Sequence, residues 1–210
     1  MSSGLPYDHD MPRWEAGAQT RLTQAAYELY IERGFEHVTV AEIAERAGLT
    51  KRTFFRYFDD KREVLFSGAP AFQDAVVDAV ANAAGNVAPI DAVVAALVAA
   101  GSGITEIGEG ARARQRLIES SSDLKEREMI KMVALRDAMA VALRSRGVPG
   151  SEASLTAQAG VAVFQTAFER WAHTDGSVGF PSLIYKALDD LRAAINPVDH
   201  TAPPDPPGTS

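Results

Sequence analysis

The chain has 210 residues, 46% of them apolar, which is enough for one large packed domain or two small ones. It contains no cysteine, which excludes disulfides and thiolate metal sites and fits a reducing compartment. A net charge of −7 argues against general affinity for nucleic acid.

Residues 1–12 are polar, hold two prolines and are expected to be a disordered tail. The opening MSSGLPYDHDMPRW has no basic segment followed by an apolar run, so no secretory signal is expected. From about Glu15 to Arg33 the apolar residues Leu22, Ala25, Ala26, Leu29 and Tyr30 follow helical spacing. Gly34 is placed to end this helix, with Phe35 and Val38 anchoring the loop after it. Thr39 and Glu42 form a capping box that opens a second helix. Ala44 and Gly48 are small where two helices must cross, and Gly48 suits a tight turn. Thr50 caps a third helix, in which Phe54 and Phe58 share the buried face. Lys51, Arg52, Phe55, Arg56 and Tyr57 are left towards solvent or a partner. Asp60 with Glu63 repeats the capping pattern and is expected to start a longer helix, interrupted at Gly68–Pro70 or continuing through it.

Beyond residue 70 the pattern is helical almost throughout. Phe72, Val76, Val77 and Val80 form one stripe, ended near Gly85-Asn86. Pro89 opens another helix, which Gly101 and Gly103 are expected to break. A helix over about Ile104–Glu119 stops at Ser120-Ser121-Ser122, and a long one follows over Leu124–Arg146. Gly147-Val148-Pro149-Gly150 is a firm turn. The next helix, Ser151 to about Thr174, carries Phe164, Phe168 and Trp171 at steps of four and three. Asp175-Gly176 breaks it, and a last helix runs over Pro181–Ile195. Residues 197–210 hold five of the eleven prolines and are expected to be disordered. The stretch Val87–Gly103 is too short, and too interrupted by Pro89, Asp91 and Gly101, to span a membrane. A cytoplasmic protein with no membrane partner is expected.

The charge is unevenly placed. Between Arg46 and Arg62 stand six cations against Asp59 and Asp60, a local sum of +4. An acidic body with one basic patch suits a protein that touches phosphates in one place. Two short helices joined at Gly48, the second presenting cations at its start, are the build of a helix-turn-helix whose second helix reads a major groove.

The stretch Gln19–Phe66 resembles the DNA-binding domain of the TetR family of bacterial repressors. The resemblance is carried by Gly34-Phe35, Thr39-Val40-Ala41-Glu42-Ile43-Ala44, Ala47-Gly48, Thr53-Phe54-Phe55-Arg56-Tyr57-Phe58 and Lys61. It implies an all-α protein with a helix-turn-helix domain over 13–66 and a larger helical ligand-binding and dimerisation domain over 67–196. Its partners would be double-stranded operator DNA, a small lipophilic effector and a second copy of itself. The resemblance places base contacts at Lys51, Arg52 and Phe55 and phosphate contacts at Thr39, Thr53, Tyr57 and Lys61. Arg56 matches a position used for either, and Thr50 keeps a hydroxyl where most members have serine. Many members carry a small residue where Arg52 stands, so Arg52 reads a base or touches backbone. The segments Arg112–Glu119 and Phe164–Trp171 are similar to a subgroup that senses acyl-CoA-like or other lipophilic ligands.

Each residue also has a plainer reading. Lys51 and Arg52 can be solvated charges, and Phe55 can pack on its own domain rather than on a thymine methyl. Phe164, Phe168 and Trp171 can be core, dimer seam or pocket wall. Met129 and Met132 suit a pliable cavity or an irregular core. Arg116 can meet a ligand anion or face water. The four histidines are scattered, and neither HExxH, a phosphate loop nor a GxSxG elbow occurs. No catalytic residue, metal or cofactor is expected. The rival is an all-helical ligand carrier or small enzyme whose helix-turn-helix is only structural.

Overall fold

The computed structural model describes residues 13–174 and 178–196, with the backbone alone at 13–16 and 103–107. Among these residues every regular element is helical. The tails expected at 1–12 and 197–210, and the break expected at Asp175-Gly176, lie outside the described residues. Two units form. Among the described residues, one takes 13–71 together with Glu109–Met132; the other takes Phe72–Gly108, 133–174 and 178–196.

In the first unit, α1 (Arg13–Arg33) buries Leu22, Ala25, Ala26, Leu29 and Tyr30, the stripe its spacing predicts. It ends at Gly34, whose N–H reaches the Tyr30 carbonyl at 2.9 Å. Phe35 and Val38 then turn inward. α2 (Val40–Arg46) starts on the expected capping box: Thr39 Oγ1 accepts from the Glu42 N–H, and the Glu42 carboxylate accepts from the Thr39 N–H. Its exit is a Schellman turn. Gly48, at φ 65°, donates to Glu45 O, and Leu49 donates to Ala44 O at 2.8 Å. α3 (Lys51–Tyr57) follows, capped by Thr50 and anchored by Phe54 and Phe58, both buried.

Of the two courses expected after Asp60, the interrupted one forms, and its first part is not an α-helix. Asp60 does accept the Arg62 and Glu63 N–H groups. Only a 3-10 turn follows at Glu63–Phe66, and α4 (Ala69–Ala81) begins afresh with Pro70 in its first turn. A proline deeper in a helix would remove a backbone donor and clash with the preceding turn. Glu63 has also been taken elsewhere. α6 (Glu109–Ser120) and the first half of α7 (Ser122–Ser145) close over this side, adding Leu117, Ile118 and Leu124 to the core. Arg127 and Lys131 of α7 both donate to the Glu63 carboxylate, Lys131 at 3.0 Å. Arg114 Nε donates to Leu65 O at 2.7 Å, and Ser121 Oγ donates to Glu36 at 2.7 Å.

Burial pushes the Glu63 carboxyl up, but the hydrogen bonds from Arg127 and Lys131 outweigh it and hold the group below its ordinary value of 4.5. A depressed folded pKa contributes stability above the unfolded value and loses it as pH falls through the folded one. Glu63→Gln is therefore expected to lower stability at neutral pH and to flatten the acid limb, read as urea midpoints from neutral down to about pH 3. An acid limb parallel to that of the wild type would refute this role.

The second unit packs α5 (Pro89–Ile107), α8 (Gly150–Ala172) and α9 (Phe180–Ile195) on one another. α5 does not break at Gly101. That glycine leaves room for the Phe180 ring, which would lie 2.6 Å from an added Cβ. Gly160 in α8 does the same for α5, where an added Cβ would meet Val93 Cγ1 at 2.4 Å. Valine is stiff at χ1, so it cannot swing away. Gly160→Ala is expected to destabilise by about 1–3 kcal/mol through overpacking, and Val93→Ala in the same chain should recover part of it. Thermal midpoints of the two single variants and the double variant decide this, and strict additivity would refute it.

Among the described residues, Glu63–Ala81 is long and apolar enough by composition to cross a membrane. It holds Glu63, Asp74 and Asp78 and is interrupted by the turn at Ser67-Gly68. Val64, Leu65 and Phe66 are spent in the first unit's core.

Candidate nucleic-acid interface

α3 is only two turns long, so its orientation depends on what it buries. Phe54 is fully buried and Phe58 nearly so, their rings 5.4 Å apart. Leu49 and Tyr57 pack at the margin of the same core. This fixes the opposite face. Lys51, Arg52, Phe55 and Arg56 are exposed there, and Thr53 and Tyr57 are half-buried beside them. Phe55 is 55% exposed, its ring edge-on to Phe54 at 5.5 Å. Thr50 Oγ1 accepts the Thr53 N–H at 3.1 Å and so holds the N-terminus of α3. Arg56 donates to the Tyr57 hydroxyl at 2.9 Å, with its guanidinium 5.0 Å from the Tyr57 ring centre.

The six cations counted between Arg46 and Arg62 are not equivalent. Arg46 is drawn into Glu28 and Glu32, at 3.4 and 2.9 Å, and Arg62 into Asp60 at 2.6 Å. Lys61 turns inward. Its Nζ donates to the carbonyls of Phe35 at 2.8 Å, Val38 at 3.0 Å and Glu36 at 3.4 Å, and stands 4.3 Å from the Phe35 ring centre. The positive field that projects from this surface therefore comes from Lys51, Arg52 and Arg56. For Lys51 and Arg52 no ion pair forms among the described residues. Thr39 is exposed, but its hydroxyl is engaged by Glu42, from which it accepts one hydrogen bond and to which it donates another. Exposed cations beside an exposed ring at the start of a helix can meet base edges and phosphates together.

The residues expected to line a ligand site are placed differently from one another. Phe164, Phe168 and Trp171 are buried in the second unit, in a ring cluster with Phe72 and Phe180. Arg116 is exposed in the first unit and pairs with Glu109 at 2.6 Å. Met129 is 61% exposed and Met132 half-buried, both on the part of α7 that belongs to the first unit. The aromatics thus come together within one unit, and the other three belong to the other. The polar groups that bind α6 and α7 to the helix-turn-helix unit, Arg114, Ser121, Arg127 and Lys131, were missed by sequence reasoning. The one available signal was Arg114, Leu117, Ile118 and Ser121 recurring at three and four residues.

The description "Bacterial regulatory proteins, tetR family" matches residues 22–67. The description "MftR C-terminal domain" matches residues 87–196, just over half the chain. The regulator TcmR of Streptomyces glaucescens is 42% identical over 55 residues, which are 26% of this chain and 24% of that protein. The chain's match thus spans about a quarter of that relative's length. Among solved structures, the SmeT–triclosan complex aligns with a TM-score of 0.62 at 19% identity, over 84% of this chain and 90% of that one. Thermus thermophilus FadR in complex with lauroyl-CoA aligns with a TM-score of 0.52 at 22% identity, over 90% of this chain and all of that one. At such identities these two likenesses speak to the fold. Taken with the helix-turn-helix geometry and the two matched regions, they lead to one assignment: the chain belongs to the TetR family of bacterial regulatory proteins.

Proposed function

We propose that this protein is a DNA-binding transcriptional regulator, a repressor that a small lipophilic effector releases from a palindromic operator. The observation that carries the reading is α3: a short helix pinned by Phe54 and Phe58, with Lys51, Arg52, Phe55 and Arg56 exposed on its far face. Lys51, Arg52 and Phe55 meet base edges, and Thr39, Thr50, Thr53 and Tyr57 hold the backbone in register. Residues 13–66 act as the reading domain, and 67–196 as the effector and dimerisation domain.

The homodimer forms through α8 and α9, which leave Leu155, Tyr185 and Ile195 half or more exposed in the single chain. Two-fold symmetry then sets two α3 helices about 34–36 Å apart, in successive major grooves. The effector favours a conformation whose reading helices no longer match that spacing. A coupling of about 1–3 kcal/mol suffices for such a switch. Structural relatives solved in complex with triclosan and with lauroyl-CoA support an apolar effector. The protein acts in the cytoplasm, away from membranes, and performs no catalysis.

The test is a gel shift against the DNA flanking its own gene, repeated with acyl-CoAs and hydrophobic small molecules. A retarded band that one compound dissolves is expected. No preference for any promoter fragment at low salt would end this reading.

A further inference from the structure

We propose that Gln115 is the polar anchor of the effector site, and that the effector is an uncharged apolar molecule carrying a hydroxyl group, an alcohol or a phenol. The proposal rests on the effector-responsive reading above and gives it a chemistry. Gln115 lies on α6 and is 6% exposed, so it is a fully buried amide. Its Nε2 donates to Glu119 Oε1 at 3.1 Å. This fixes which way the amide points, since the flipped amide would set its oxygen against a carboxylate. Oε1 is thereby turned away from Glu119, and no donor reaches it among the described residues. A buried carbonyl oxygen left without a donor bears its full desolvation penalty. An apolar side chain of similar length would avoid that penalty. The acceptor is therefore best explained as one completed by a molecule that binds.

The neighbours narrow the chemistry. Arg112, Gln115 and Glu119 recur at three and four residues and share one face of α6. Arg114, Leu117 and Ile118 occupy another face, towards Leu65, Phe66 and the first unit's core. Gln115 stands three residues before Ile118, at the edge between these two faces. The Arg112 side chain is 15% exposed and one turn from Gln115. A group seated here must donate to Gln115 Oε1, and Arg112, paired with Glu109 at 3.7 Å, stands one turn away. A hydroxyl donates. An ether or thioester offers lone pairs and no proton. A carboxylate offers none either and would stand against Glu119.

The full-length protein would be titrated calorimetrically with two matched pairs, 1-decanol against its methyl ether and 2-naphthol against 2-methoxynaphthalene. In at least one pair the hydroxyl compound is expected to bind tighter by about tenfold or more. Gln115→Met should remove that advantage while the ligand-free melting temperature holds or rises. Equal binding of alcohol and ether overturns the proposal. So does binding of lauroyl-CoA with neither alcohol bound, or no binding of either pair. Should the variant fail to fold, the paired titrations on the unaltered protein still decide. A gel shift on the same preparation keeps the two readings apart: an alcohol that binds through Gln115 but leaves the operator complex intact defeats the release mechanism, not the anchor.

Discussion

Replacing Lys51, Arg52 and Tyr57 together by alanine is expected to weaken operator binding by roughly a hundredfold to a thousandfold or more, with the fold retained. A bidentate arginine–guanine contact discriminates by about 1–3 kcal/mol, and each released phosphate contact lowers the salt slope by about 0.9. Lys51 and Arg52 supply two of the three cations that project from α3, since Arg46, Lys61 and Arg62 are engaged within the protein. Neither side chain contributes to the core. Tyr57 is half-buried and packs at its margin, so its loss costs some stability, which a urea midpoint would register. Binding would be read by gel shift at several salt concentrations beside a non-specific duplex. Unchanged operator affinity in a folded triple variant would remove α3 as the reading helix. Arg52→Ala alone separates the two roles open to it. A base contact predicts relaxed preference at one position, and a backbone contact predicts uniform weakening.

What the sequence reveals here is what depends on near neighbours along the chain. The stripe of α1, the Thr39–Glu42 box, the turn at Gly48 and the inward pair Phe54 and Phe58 are all settled within about one or two helical turns. Short-range spacing carries their signal. Features that need a distant partner are invisible in this way. Gly101 looks like a helix breaker until the Phe180 ring is found lying on it. Glu63 looks like the second half of a capping box until Arg127 and Lys131 claim it. Arg116 is exposed to water, one of its two expected places, yet two residues before it Arg114 is bound to Leu65 O, and Gln115 between them is buried. Alternate arginines fall on different sides of a helix, and the sequence does not say which side will be covered. The same holds at the candidate interface. The local charge of +4 is a true property of the segment, but ion pairs formed on folding leave only part of it facing outward.

Lys61→Met is expected to cost about 2 kcal/mol of stability and to leave the salt slope of operator binding unchanged. Family resemblance points the other way, to a phosphate contact, and the two roles predict opposite signatures. The ammonium donates to three carbonyls at the corner between α1 and α2 and sits over the Phe35 ring. Two of these bonds are part-buried, and the Glu36 carbonyl is exposed, so water can replace the third. Hydrogen bonds to charged groups contribute about 1.5–3 kcal/mol, and methionine keeps most of the stem while removing every donor. The Lys61 carbonyl meanwhile accepts from the Tyr30 hydroxyl at 2.7 Å, a hydroxyl that burial pushes well above its ordinary pKa. Residue 61 thus ties the chain leaving α3 to the end of α1 through both backbone and side chain. A lysine so engaged must break three hydrogen bonds before it can neutralise a phosphate. Were it to do so in the complex, the variant would lose about 0.9 from the slope, whatever its urea midpoint. Measuring both quantities on one preparation decides whether Lys61 holds the reading helix in place or touches the DNA itself.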